Sequence, residues 1–273
     1  MLLGVGVSGT IMALWALTRY GSVVDGLNRI LLPGPEQIAV AGTSQLLGFL
    51  FATWAIGFRA LRLRRQDLRW APPRIGLRGF AIGLTLGMAA AGLALLGSVL
   101  LAHSHWSPDQ GGPKEYIAQV VKTFVVLAPA ALSEEVMVRG LPLVLIAAAV
   151  GRGTALVLVA GLIFALLHSF NPGVTTLGLG NIALAGIFLG LAFYAPGGLW
   201  TAFGAHLGWN TTLAALDAPV SGLPFTIPFL DYCAGYPDWL SGGRFGPEGG
   251  LTGTIAITIA LLVTWRWARK ETS

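Results

Sequence analysis

Apolar residues occupy eight long blocks of this chain, separated by short polar or glycine- and proline-rich breaks. The blocks are Leu2–Leu17, Ile38–Phe58, Gly79–Ala102, Tyr116–Val150, Thr154–Phe170, Leu177–Tyr194, Leu199–Leu216 and Leu251–Trp265. A helix crosses the hydrocarbon core of a bilayer with about 20 apolar residues. The pattern therefore predicts an all-α, polytopic membrane protein of about eight transmembrane helices, forming a single integral membrane domain over residues 1–273. The fourth block is too long for one simple span. Gly140 and Pro142 predict a break within it, because a proline removes an i→i−4 hydrogen bond. Gly151–Gly153, Asn171–Gly173 and Pro196–Gly198 read as tight turns, and Arg19–Glu36, with Pro33 and Pro35, as a mixed loop.

Composition agrees. The chain is 55% hydrophobic and 11% charged, against about 25% charged in soluble domains. The net charge of +5 does not point to nucleic acid, because the basic residues flank apolar blocks. Seven arginines lie between Arg59 and Arg78, and Arg152, Arg266, Arg269 and Lys270 fall on the same side of an eight-span plan. The positive-inside rule makes that side cytoplasmic, with both termini on it. Arg19 and Arg29 fall on the other side. In a bacterium the protein would sit in the cell (inner) membrane, with the lipid bilayer as its first partner. Met1–Gly6 lacks a basic n-region and reads as part of a retained span rather than a cleaved signal. Cys233 stands alone, so no disulfide forms within the chain.

Strongly polar side chains are few inside the fourth, fifth and seventh blocks: Glu134, Glu135, Arg139, His168, His206 and Asn210. A charge at bilayer depth costs about 2.5–3.5 kcal/mol on insertion scales, so three in the eight residues Ser133–Gly140 call for a use. Glu135 and Arg139 are i, i+4 and can pair on one helix face, which alone is as well explained by structure as by function. Glu134 points about 100° away from Glu135. His206 and Asn210 are also i, i+4, and Phe164 stands one turn before His168. Glu134 and His168 are equidistant from the Gly151 turn, so antiparallel helices would bring them to similar depth. Spacing does not by itself bring His206 to them. A carboxylate and an imidazole on one water can activate it, and an imidazole with an amide can donate to an oxyanion. His103 and His105, with Asp109 and Glu115 nearby, show no metal-ligand spacing and read as a solvated loop. Asp217–Gly250 reads as a long loop carrying Asp217, Asp231, Asp238, Glu248 and one base, Arg244. Trp106, Trp200, Trp239 and Trp265 read as interfacial anchors.

Glu134-Glu135-x-x-x-Arg139, Phe164-x-x-x-His168 and His206-x-x-x-Asn210, in that order, resemble the CPBP family of intramembrane proteases. That family includes the CAAX prenyl endopeptidases and the bacterial Abi proteins. The resemblance runs from about Ser133 to Asn210, and Gly242–Gly250 is similar to a loop of bacterial members. It implies an endopeptidase acting on a protein or peptide substrate at the membrane, with core helices at about 116–216. It further implies Glu134 as general base, His168 as its partner at the water, His206 and Asn210 as the oxyanion site, and Glu135 and Arg139 in support. No cofactor is expected, although Glu134, His168 and His206 could ligate zinc by residue type. A proton- or ion-coupled transporter would use the same polar residues, but no inverted repeat is evident. A noncatalytic scaffold is the other alternative. Nothing in the sequence sets an oligomeric state or the substrate.

Overall fold

The computed structural model describes residues 1–30 and 34–270, so Pro33 lies outside the described residues. All eight apolar blocks are helical. Helix α1 (Leu2–Tyr20) is followed by a short α2 (Val23–Ile30), a helix of 8 residues where the sequence reads only as loop. Helix α3 (Pro35–Ala52) continues through a π-helical stretch, Thr53–Ala60. Then come α4 (Pro73–Ala102), α5 (Pro113–Glu135), the π-helical Val136–Gly140 and α6 (Leu141–Val150). The break expected near Gly140 and Pro142 is present: after the π-helical Val136–Gly140, the Gly140 backbone leaves helical geometry at φ −69° and ψ −122°, and α6 starts anew. Pro142 sits in the first turn of α6, where its missing N–H is harmless.

A second interrupted helix follows. It comprises α7 (Arg152–Ala155), a π-helical stretch Leu156–Ile163, and α8 (Phe164–Leu167). The chain ends with α9 (Thr176–Tyr194), α10 (Leu199–Ala215), the one-turn α11 (Asp238–Ser241) and α12 (Leu251–Lys270). Among the described residues, six helices are long and apolar enough to cross a membrane, and Arg152–Leu167 is a shorter apolar helix.

The long loop after α10 is built rather than free. Strand β2 (Leu230–Cys233) pairs antiparallel with β1 (His105–Pro108), His105 opposite Cys233 and Pro108 opposite Leu230. The Trp106 indole N–H donates to the Leu216 carbonyl at 2.7 Å, so this tryptophan tethers the strand pair to the end of α10. At the other end of the bundle, Arg69 donates to the Phe193 and Tyr194 carbonyls, both at 2.8 Å. The Arg152 guanidinium lies 5.3 Å from the centre of the Tyr194 ring. The arginine-rich loop, the Gly151 turn and the turn after α9 therefore share one end, as the charge pattern predicts.

The placement of α10 depends on glycine. A methyl group on Gly83 would strike Thr201 O, and one on Gly87 would strike Ala205 O; on the facing helix, Gly204 and Gly208 meet Phe80 O and Leu84 O in the same way. Small residues let helix backbones approach closely, as membrane helices require in the absence of a hydrophobic drive between them. Gly204 and Gly208 occupy the α4 side. His206 and Asn210 then fall on roughly the opposite side of α10, facing α5.

Candidate active site

The candidate site forms where α5 ends. Glu135 and Arg139 are fully buried, and their charged atoms pair at 3.0 Å. Arg139 also donates to Gly186 O at 3.1 Å and Ala160 O at 3.4 Å. Its guanidinium lies 4.2 Å from the centre of the Phe164 ring. Ala160 belongs to the π-helical Leu156–Ile163 stretch, and Gly186 allows α9 to come against it. One guanidinium thus joins three helical segments. A buried charge with this many partners is tolerable; an unpaired one is not.

Glu135 also reaches a fourth segment. The His206 Nδ1 atom lies 2.8 Å from Glu135 Oε1. The same oxygen therefore serves Arg139 and His206, and α10 joins the cluster through a contact that helical spacing does not predict. The His168 Nδ1 lies 2.8 Å from Phe164 O. A carbonyl only accepts, so Nδ1 carries the proton and Nε2 of the neutral ring is an acceptor.

Glu134 lies at the other ring nitrogen of His206 from Glu135. Its Oε2 atom is 3.8 Å from His168 Nε2 and 3.8 Å from His206 Nε2. That oxygen is buried and makes no hydrogen bond to the protein. The Phe164 ring backs both imidazoles, with centroids 4.6 Å from His168 and 6.0 Å from His206. Glu134, His168, His206 and Asn210 all line one cavity of about 480 Å³, whose other walls come from α1, α3 and the Val220–Phe225 segment. Gaps of 3.8 Å between a carboxylate oxygen and two imidazole nitrogens suit one water bonded to both at about 2.8 Å. Among the described residues, no group of three or more His, Cys, Asp and Glu side chains is arranged to hold a metal ion. In a tetrahedral site, zinc bonds of about 2.0–2.1 Å would draw the three donors closer together.

A third carboxylate borders the site, and the sequence places it only in the long Asp217–Gly250 loop. Glu248 is buried and lines, with His168, His206, Asn210 and Ser221, a small cavity of about 30 Å³ beside the larger one. Its Oε1 accepts from the Trp209 indole N–H at 2.7 Å, and its Oε2 from the Ser221 hydroxyl at 2.8 Å and the Ser221 amide. Burial raises its pKa above the ordinary glutamate value, against the Ser221 and Trp209 hydrogen bonds. The Gly242–Gly250 run was the visible signal, since so many glycines in one loop mark backbone held close to other backbone. Asn181 fixes the loop further, donating to the Glu248 carbonyl at 2.8 Å and the Gly250 carbonyl at 2.9 Å.

Residues 116–212 match the family model described as type II CAAX prenyl endopeptidase Rce1-like. The match covers Glu134, His168, His206 and Asn210 and stops short of Glu248. No curated protein and no solved structure matches the chain. The segment that builds this cavity is thus the part of the chain that matches a model of the CPBP family of intramembrane proteases.

Proposed function

We propose that this protein is an intramembrane endopeptidase that hydrolyses a peptide bond in a membrane-associated protein or peptide, using water activated by Glu134. The observation that carries the reading is the buried, unbonded Glu134 Oε2 set 3.8 Å from both imidazoles at the wall of a cavity. The name of the family whose model matches, a CAAX prenyl endopeptidase, supplies the substrate to try first.

The steps follow from the donors and acceptors. A water held between Glu134 Oε2 and His168 Nε2 gives its proton to Glu134 as its oxygen attacks the scissile carbonyl carbon. The new oxyanion accepts from the Asn210 amide and from Nε2–H of a doubly protonated His206, whose charge the Glu135 carboxylate balances. The tetrahedral intermediate collapses, the C–N bond breaks, and Glu134 returns its proton to the leaving amine. Arg139 holds Glu135 in place. The reaction in this form needs no metal. The chain would lie across the cell membrane with the arginine-rich loop and both termini in the cytoplasm, which the positive-inside rule supports.

The test is cleavage of a quenched-fluorescent, farnesylated peptide ending in a CAAX sequence by the full chain in lipid nanodiscs. Glu134→Gln should lower turnover by about 10²–10⁴-fold with the fold intact. Undiminished turnover in that variant overturns the mechanism.

A further inference from the structure

Residues Val220–Leu223 form a two-residue turn. The Val220 amide donates to the Leu223 carbonyl and the Leu223 amide to the Val220 carbonyl, both at 2.9 Å. The central residues Ser221 and Gly222 have φ of 49° and 83°. Glycine takes that region freely, but serine does not. A non-glycine residue holds such a conformation when its surroundings over-determine it. Every polar group of Ser221 is in fact engaged: its amide and hydroxyl donate to Glu248 Oε2, and its carbonyl accepts from Asn171 at 2.9 Å. The neighbouring Gly222 amide donates to Phe245 O at 2.9 Å, which binds the turn to the same glycine-rich loop.

The turn is also a wall of the candidate active site. Val220, Ser221, Leu223 and Phe225 line the large cavity together with Glu134. We infer that Glu248 is a positioning residue that latches the Val220–Leu223 turn as the apolar roof of the catalytic cavity, against which the substrate chain is laid. Glu248 works through Ser221 and does not touch the reacting atoms. Its second oxygen, on Trp209 of α10, ties the roof to the helix that carries His206 and Asn210. The position of α10 itself does not depend on Glu248, because the α4 glycines and the Glu135–His206 contact already hold it. The roles of roof and chemistry are therefore separable. The Asn181 hydrogen bonds to the loop backbone survive a change in the Glu248 side chain, so the loop itself stays folded. This inference rests on the protease reading above for its account of substrate, and on the hydrogen bonds alone for the latch.

The experiment compares the full chain with Glu248→Ala and Glu248→Gln in nanodiscs, using the farnesylated CAAX peptide as probe. Glu248→Ala should raise KM at least about tenfold, the scale set by losing its hydrogen bonds to Ser221 and Trp209, while kcat changes less than about threefold. Glu248→Gln keeps one acceptor oxygen and should fall between. Amide hydrogen exchange at residues 220–223 should quicken by about tenfold or more in Glu248→Ala, with α10 as protected as in the parent. Unchanged KM and unchanged exchange overturn the inference. A fall in kcat at constant KM also overturns it and makes Glu248 a chemical group; exchange that quickens along α10 as well makes it a fold staple only. If the parent cleaves no prenylated peptide, the substrate reading fails, and the exchange comparison still decides the latch.

Discussion

His206 Nδ1 and Arg139 Nη1 meet on one oxygen, Oε1 of Glu135, at 2.8 and 3.0 Å. That atom couples the π-helical end of α5 to α10 and sets which way the His206 ring faces. With Nδ1 directed at a carboxylate, Nε2 is directed at Glu134. The carboxylate that reads as mere support in the sequence thus orients a ring of the candidate machinery.

Removing Glu135 should therefore harm both fold and activity. Glu135→Ala leaves Arg139 as a buried, uncompensated charge, which costs about 3–5 kcal/mol. Chemical unfolding of the purified protein measures it. The double variant Glu135→Leu with Arg139→Leu should recover much of the stability lost in Glu135→Ala, yet none of the turnover. A double variant no more stable than Glu135→Ala would refute the account in which the cost comes from an uncompensated Arg139 charge.

His168→Ala should abolish measurable cleavage while leaving stability nearly unchanged. Its Nδ1 bond goes to Phe164 O within its own helical segment, so nothing distant depends on it. Turnover and melting temperature in nanodiscs are the two readouts, and only the first should fall.

Exhaustive chelation should leave the rate of peptide cleavage unchanged. The donor spacing of 3.8 Å around Glu134 fits a shared water better than zinc. Metal analysis of the chelated sample beside the rate measurement decides the matter. A rate that vanishes with the metal and returns with added zinc would replace the proposed mechanism by a metal-dependent one.

Gly87→Val should destabilise the bundle by about 1–3 kcal/mol, the usual scale of overpacking. Any side chain there strikes Ala205 O. Because α10 must then shift, kcat should fall further than the loss of folded protein explains, which a rate normalised to folded protein would show. Gly92, whose added Cβ meets nothing within 4 Å, is the control: Gly92→Ala should be silent.

The Glu248 carboxyl gives a signed pH dependence. Its pKa is raised by burial, so the folded state favours the protonated group. Its contribution to stability is fully present below the ordinary glutamate value and is lost as pH rises through the raised one. Asp217, raised by its own burial, adds a slope of the same sign. Glu248→Gln should flatten part of the slope, so its melting temperature should gain on the parent's as pH rises. A constant difference between the two across pH would refute the assignment.

The sequence alone determined the membrane class, the eight helical blocks, the end that collects the arginines, and the pairing of Glu135 with Arg139. Each of these is local. Hydropathy is a property of consecutive residues, and i, i+4 neighbours meet on any helix. The approach of Glu134 to His168 was legible for nearly the same reason, since one short turn relates their two helices. Tertiary structure alone brought His206 onto Glu135, because that contact depends on how closely α10 lies against α4, and a row of glycines does not announce its partner. It also turned Glu248 from a loop acid into a buried group. Glycine-rich loops carry no periodic pattern, so only the packed backbone shows that Ser221 and Trp209 are already aimed at its carboxylate.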